Sequence, residues 1–136
     1  MSFDLREHTA DVAIEATGGT LGETFAALGD GLAAAQCDDI PETGDRFEVE
    51  VRAESREALL FDFLDRLIYE RDVRAVLPAD HEATVAQEDG EWIARASARG
   101  VPLEDVSARE VKAVTYSEMR LEEVDDGWYA YVVLDV

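Results

Sequence analysis

Thr84-Val85-Ala86-Gln87-Glu88-Asp89-Gly90-Glu91-Trp92-Ile93-Ala94-Arg95-Ala96-Ser97-Ala98 contains two strand-like runs, 84–88 and 91–98, around Asp89-Gly90. Asp-Gly favours a two-residue hairpin turn, because both central residues of that turn need positive φ. Working outward toward the end of the chain, residues 110–116, 119–124 and 128–136 read as further strands. The last two are joined across Asp125-Asp126-Gly127. The second half is therefore expected to be all-β. In the other direction, Phe47, Val49, Val51 and Ala53 alternate as one strand, and Val12, Ile14 and Ala16 as another. Residues 41–44 read as a turn.

Two helices break this pattern. Thr20 and Glu23 have the spacing of a capping box. Leu21, Phe25, Leu28 and Leu32 then recur at helical spacing, which predicts a helix over 21–36. Gly29 and Gly31 are each expected to weaken it by about 1 kcal/mol relative to Ala. Ser55 suits an N-cap, and Leu59, Leu60, Phe63, Leu64, Leu67 and Ile68 form the apolar stripe of a helix over 56–71. The expected fold is α+β: mostly antiparallel β-sheets with two packed α-helices, one domain over residues 1–136.

Composition narrows the function classes. Of the 136 residues, 32 are acidic and 12 basic, giving a net charge of −20. Such a surface repels nucleic-acid phosphates, which argues against broad nucleic-acid binding. Lys112 is the lone lysine; every other basic residue is arginine. At about 1 M salt the Debye length falls to about 3 Å, so dense negative charge repels itself less than in dilute buffer. The expectation is a salt-adapted, halophilic type of surface, with an acidic docking surface as the alternative. No apolar run approaches the roughly 20 residues of a membrane span. The N-terminal residues lack a signal-peptide pattern, so a cytoplasmic protein without a membrane segment is expected. Cys37 is the single cysteine and reads as a packed or half-exposed thiol, not a nucleophile.

Three segments carry chemistry. His8-Thr9-Ala10-Asp11 fits a general base with its orienting carboxylate, and equally a turn in which Thr9 or Asp11 bonds the backbone. Asp135 sits in an apolar strand-like end, where a carboxylate must face solvent, pair with a cation or bind a metal. As the final residue, Val136 is expected to carry its main-chain oxygens as the α-carboxylate. With Asp135 it would offer several oxygen donors to a hard cation such as calcium. In residues 110–119, alternation is expected to put Lys112, Val114 and Tyr116 on one strand face, suited to an anion, against a surface lysine over a tyrosine as the plainer alternative. Asp62, Asp65, Arg66, Glu70, Arg71 and Asp72 read as a solvated helix face with an Asp62–Arg66 pair. His81, after Pro78-Ala79-Asp80, reads as a loop residue. No phosphate loop, zinc spacing or nucleophile elbow is present.

Taken in order, His8-Thr9-Ala10-Asp11-Val12, Leu59-Leu60-Phe61-Asp62-Phe63-Leu64-Asp65, Val111-Lys112-Ala113-Val114-Thr115-Tyr116-Ser117 and Val133-Leu134-Asp135-Val136 resemble the archease family. The helix start Gly19-Thr20-Leu21-Gly22-Glu23-Thr24-Phe25 fits as well, whereas residues 72–109 carry little that matches. The resemblance implies a non-enzymatic accessory protein of the RtcB-type RNA ligase of transfer-RNA splicing. Such a protein promotes guanylylation of the ligase histidine and multiple turnover, and widens nucleotide use. It also implies a divalent-metal site, typically calcium, with Asp11, Asp135 and a main-chain oxygen of Val136 as ligands. Lys112, with His8 and Tyr116, would belong to the functional surface nearby. The competing reading is a small metal-dependent hydrolase using His8, Asp11 and Asp135, which would need an open metal position and a substrate pocket.

Overall fold

The computed structural model of the chain describes residues 2–7 and 11–136, and for residues 6, 7 and 11 the backbone alone. The element order is β1 (Ser2–Glu7), β2 (Asp11–Gly18), α1 (Leu21–Gln36), β3 (Asp45–Ala53), α2 (Arg56–Arg74), β4 (Val76–Glu88), β5 (Glu91–Pro102), β6 (Ala113–Val124) and β7 (Gly127–Asp135). Two antiparallel sheets result, with strand orders β1-β2-β7-β6 and β3-β5-β4. The fold is α+β with two helices, as expected. Each helix touches strands of both sheets: α1 meets β1, β2 and β4, and α2 meets β3 and β6. One core joins all of them, through Ile14, Phe25, Leu28, Phe63, Leu64, Ala96, Val132 and Leu134.

Local chemistry explains the elements. Asp89 at φ 52° and Gly90 at φ 82° form the two-residue turn between β4 and β5 that this dipeptide favours. Thr20 Oγ1 accepts from Glu23 N at 3.1 Å, and Glu23 Oε2 reaches back to Gly19 N at 2.9 Å, which closes the N-terminus of α1. Ser55 caps α2 by accepting from Ala58 N at 3.1 Å. The helix runs three residues past the expected 71, to Arg74, and stops where Ala75 turns left-handed at φ 55°. Gly29 and Gly31 are contact positions. A Cβ on Gly29 would meet the His81 ring at 2.8 Å, and one on Gly31 would meet Ile14 Cγ2 at 2.6 Å. Their intrinsic helix penalty is offset by the close approach of β4 and β2.

Four expectations change. His81 is not in a loop: β4 begins at Val76, and the bulge between Ala79 and Glu82 lets it continue through Asp80 at φ 49°. Pro78 fits because β4 is an edge strand. His81 is buried, and both its main-chain N–H and its Nδ1 lie within hydrogen-bond reach of Asp30 Oδ1, at 3.0 and 2.8 Å. The expected strands over 110–116 and 119–124 are one strand, β6, which starts at Ala113 and loses register between Thr115 and Arg120. Finally, α2 does not present a uniformly solvated face, and Arg66 does not pair with Asp62. Glu70 is 4% exposed and accepts from Arg66 Nε at 2.8 Å and Arg74 Nε at 2.6 Å.

That buried carboxylate gives a pH prediction. Burial pushes the Glu70 carboxyl up, but its bonds to Arg66 and Arg74 outweigh burial and hold it below its ordinary 4.5. A depressed folded value stabilises the fold above the unfolded pKa, and that stability is lost as pH falls through the folded value. Both arginines are partly exposed, so Glu70→Gln is expected to destabilise by about 1–2 kcal/mol at neutral pH. The difference from wild type should shrink below roughly pH 4.5, the ordinary carboxyl value. Urea unfolding in constant high KCl across that range checks it; a pH-independent gap would remove Glu70 from the linkage.

Candidate functional site

β7 lies between β2 and β6, and their register collects three sequence motifs at one end of the first sheet. Asp135 directly faces Asp11 of β2 on one side and Ala113 of β6 on the other. Facing residues of an antiparallel pair have Cα atoms about 4.5–5.5 Å apart and share a sheet face. Lys112, one residue ahead of β6, donates its main-chain N–H to Asp135 O at 2.8 Å. The side chains of Lys112 and Asp135 are exposed, and Val136 is 44% exposed. His8 lies outside the described residues.

Of the expected face of Lys112, Val114 and Tyr116, the last two lie two apart along β6, while Lys112 falls outside the strand. Lys112 precedes the strand and is exposed, while Val111 beside it is fully buried and Val114 is 4% exposed. β6 packs against α2. Tyr116 is 56% exposed, yet its ring stacks on Phe61 of α2 with centroids 4.2 Å apart and planes 4° apart. Strand alternation could not reveal this pairing, because the partner is on a helix some fifty residues away.

The backbone around Lys112 is also held by side chains that carried no sequence signal. Arg71 of α2 donates from Nη1 to Val111 O at 3.1 Å and to Gln36 Oε1 at 2.9 Å. Arg109 N donates to Gln36 O at 2.6 Å, and Arg109 Nε to Ala35 O at 3.2 Å. Residues 107–112, which have no regular structure, are thus fastened to the C-terminal turn of α1 and to α2.

The register sets two acidic residues, Asp11 and Asp135, at facing positions. Acidic residues directly opposite one another repel, and oxygen donors gathered around a divalent ion relieve that. Thr115 lies two residues along β6 from Ala113 and so shares its sheet face. Its Oγ1 is buried and has no hydrogen-bond partner among the described residues. No cluster of three or more His, Cys, Asp or Glu side chains suited to a metal occurs among the described residues. An open depression of about 470 Å³ lies elsewhere, on the second sheet, lined by Glu48, Glu50, Glu82, Arg95 and Ser97 among others.

A family model described as the archease protein family (MTH1598/TM1083) matches residues 3–136. The chain belongs to the archease family. The protein archease of Pyrococcus furiosus is 37% identical over 139 residues, covering 96% of this chain and 95% of its own. That of Methanopyrus kandleri is 32% identical over 145 residues and covers both chains completely, 100% each. The archease fold recurs in the solution structure of a Methanobacterium thermoautotrophicum protein, with TM-score 0.87, 27% identity and 99% of each chain covered. A Thermotoga maritima archease, described as a possible chaperone, shares the fold at TM-score 0.64 and 23% identity, covering 96% of this chain and 94% of its own. No helix among the described residues is long and apolar enough to cross a membrane.

Proposed function

We propose that this archease is a non-catalytic activator of an RtcB-type RNA ligase and acts through the Asp135 end of its first sheet. The observation that carries the reading is the register: Asp11 faces Asp135, and the Lys112 N–H bonds the Asp135 carbonyl. Three segments far apart in sequence thereby form one charged tip. Asp11, Asp135 and a main-chain oxygen of Val136 would hold a divalent cation, calcium by preference, which neutralises facing negative charge. Lys112 supplies a compact cation beside it, with Tyr116 exposed nearby, and the HTAD segment with His8 is assigned to the partner contact by the family motif alone. The tip binds the ligase state that accepts guanylate better than the resting state, so it shifts a population and needs no chemistry of its own. Faster re-guanylylation then gives multiple turnover, and a relaxed nucleotide pocket gives wider nucleotide use. The proposed setting is the cytoplasm.

The test adds wild-type protein in high KCl to the cognate ligase with GTP and a divalent metal, and counts guanylylated ligase over several turnovers. Stimulation is expected, and Lys112→Arg should reduce it on the order of tenfold, because a planar fork does not replace a point charge. Absence of stimulation by wild type would overturn the reading. Hydrolysis of phosphoesters by the protein alone would favour the metal-dependent hydrolase.

A further inference from the structure

We infer that Arg71 is a positioning residue: it fixes the peptide unit from which Lys112 projects and so sets where that ammonium meets the partner. The inference rests on the reading of Lys112 as a ligase contact. The peptide between Val111 and Lys112 is held at both of its polar groups. Its carbonyl accepts from Arg71 Nη1 at 3.1 Å, and its N–H donates to Asp135 O at 2.8 Å. A planar peptide bonded at both ends has little freedom to rotate, so the Lys112 Cα is held in place and rotation about N–Cα is the backbone freedom left to aim its side chain.

The anchor is itself rigid. The Arg71 side chain is 11% exposed, and the same Nη1 also donates to Gln36 Oε1 at 2.9 Å. Gln36 is 2% exposed, and its Nε2 is engaged by Leu32 O at 3.1 Å, which leaves Oε1 for Arg71. Its main-chain carbonyl takes Arg109 N at 2.6 Å. The segment leading to Lys112 is therefore tied to α1, α2 and β7 at once, although it belongs to no helix or strand. Arg71 also ties Lys112 mechanically to Asp135, since the one peptide reports to both.

The experiment compares wild type, Arg71→Ala and Arg71→Lys in high KCl, by amide hydrogen exchange at Lys112 and by ligase stimulation. Losing a charged donor to a buried carbonyl should speed exchange of the Lys112 amide on the order of tenfold and weaken stimulation by a similar factor. Exchange in β5 should stay unchanged. Arg71→Lys keeps the charge but has less reach, and should fall between the two in both readouts. Wild-type exchange at Lys112 in Arg71→Ala overturns the proposal, as does full stimulation despite faster exchange. If Arg71→Ala does not fold, Arg71→Lys decides: exchange identical to wild type overturns the clamp, and faster exchange in a fully folded variant supports it. A wild type that does not stimulate would defeat the functional reading, while the exchange comparison would still decide the clamp.

Discussion

Asp135→Ala is expected to abolish ligase stimulation and leave the fold standing. The side chain is exposed at the end of β7, and exposed substitutions of this kind usually change stability by less than about 0.5 kcal/mol. The bond that organises the tip uses the Asp135 main-chain carbonyl, which alanine retains, so Lys112 keeps its backbone partner. What disappears is one of two acidic residues at facing positions. Calcium affinity should fall on the order of 100-fold, since the remaining donors offer half the acidic charge. Calorimetric titration with calcium, a thermal melt and the turnover assay separate the cases. Unchanged calcium affinity would remove Asp135 from the metal site. Lost affinity with full stimulation would show that the metal braces the tip and does not act on the ligase.

The fold was legible where local chemistry and tertiary packing agree. Asp89-Gly90 needs positive φ at two positions and found its turn; the Thr20 and Ser55 caps started both helices where the sequence placed them. Sequence failed where packing overrides a local signal. Pro78 and Asp80 look like turn residues, yet an edge strand with a bulge accommodates both. β1 was not anticipated at all, because a short edge strand with Asp4 and Arg6 has no strong apolar alternation. Glu70 looked like one more surface acid on a charged helix, and only the third dimension shows two arginines folded over it.

The site divides along the same line. Asp11, Lys112 and Asp135 stood out because each breaks its surroundings: an acid at a strand entry, a lone lysine, an acid in an apolar end. Their meeting at one sheet end depends on β7 pairing with both β2 and β6, and no local rule gives that strand order. Arg71 was hidden by its company. It sits among Arg66, Asp72 and Arg74 on a helix that reads as an ordinary charged surface, and its bond to Val111 O spans forty positions. Phe61 was equally hidden, since its stacking partner Tyr116 comes from another element.

Removal of salt is expected to be the other large effect: dialysis from molar to millimolar KCl should lower the melting temperature by on the order of 10 °C or more. Twelve basic residues cannot neutralise 32 acidic ones. Many of the described arginines are already committed, Arg95 to Glu50 and Glu88, Arg99 to Asp80, Arg109 to Asp38, and Arg66 and Arg74 to Glu70. Two opposing effects follow dilution. Exposed ion pairs strengthen, but each contributes only about 0–1 kcal/mol. Repulsion among the excess charges grows as well, because the Debye length rises from about 3 Å to about 10 Å between 1 M and 0.1 M salt and then spans neighbouring carboxylates. With a net charge of −20 the second effect is much the larger. On the second sheet Glu48 and Glu82 both flank Ser97 at facing positions, and of these two acids Arg46 pairs with Glu82, at 3.4 Å, while also donating to Asp80 O and Ser97 Oγ. Circular dichroism and thermal melts across a KCl series check the expectation. A spectrum and melting temperature unchanged from molar to millimolar salt would mean that the acidic surface is no salt adaptation, and would favour an acidic docking surface. Calcium added at low salt sharpens the comparison. Recovery at ion concentrations far below those at which KCl stabilises would locate much of the repulsion at the facing Asp11 and Asp135.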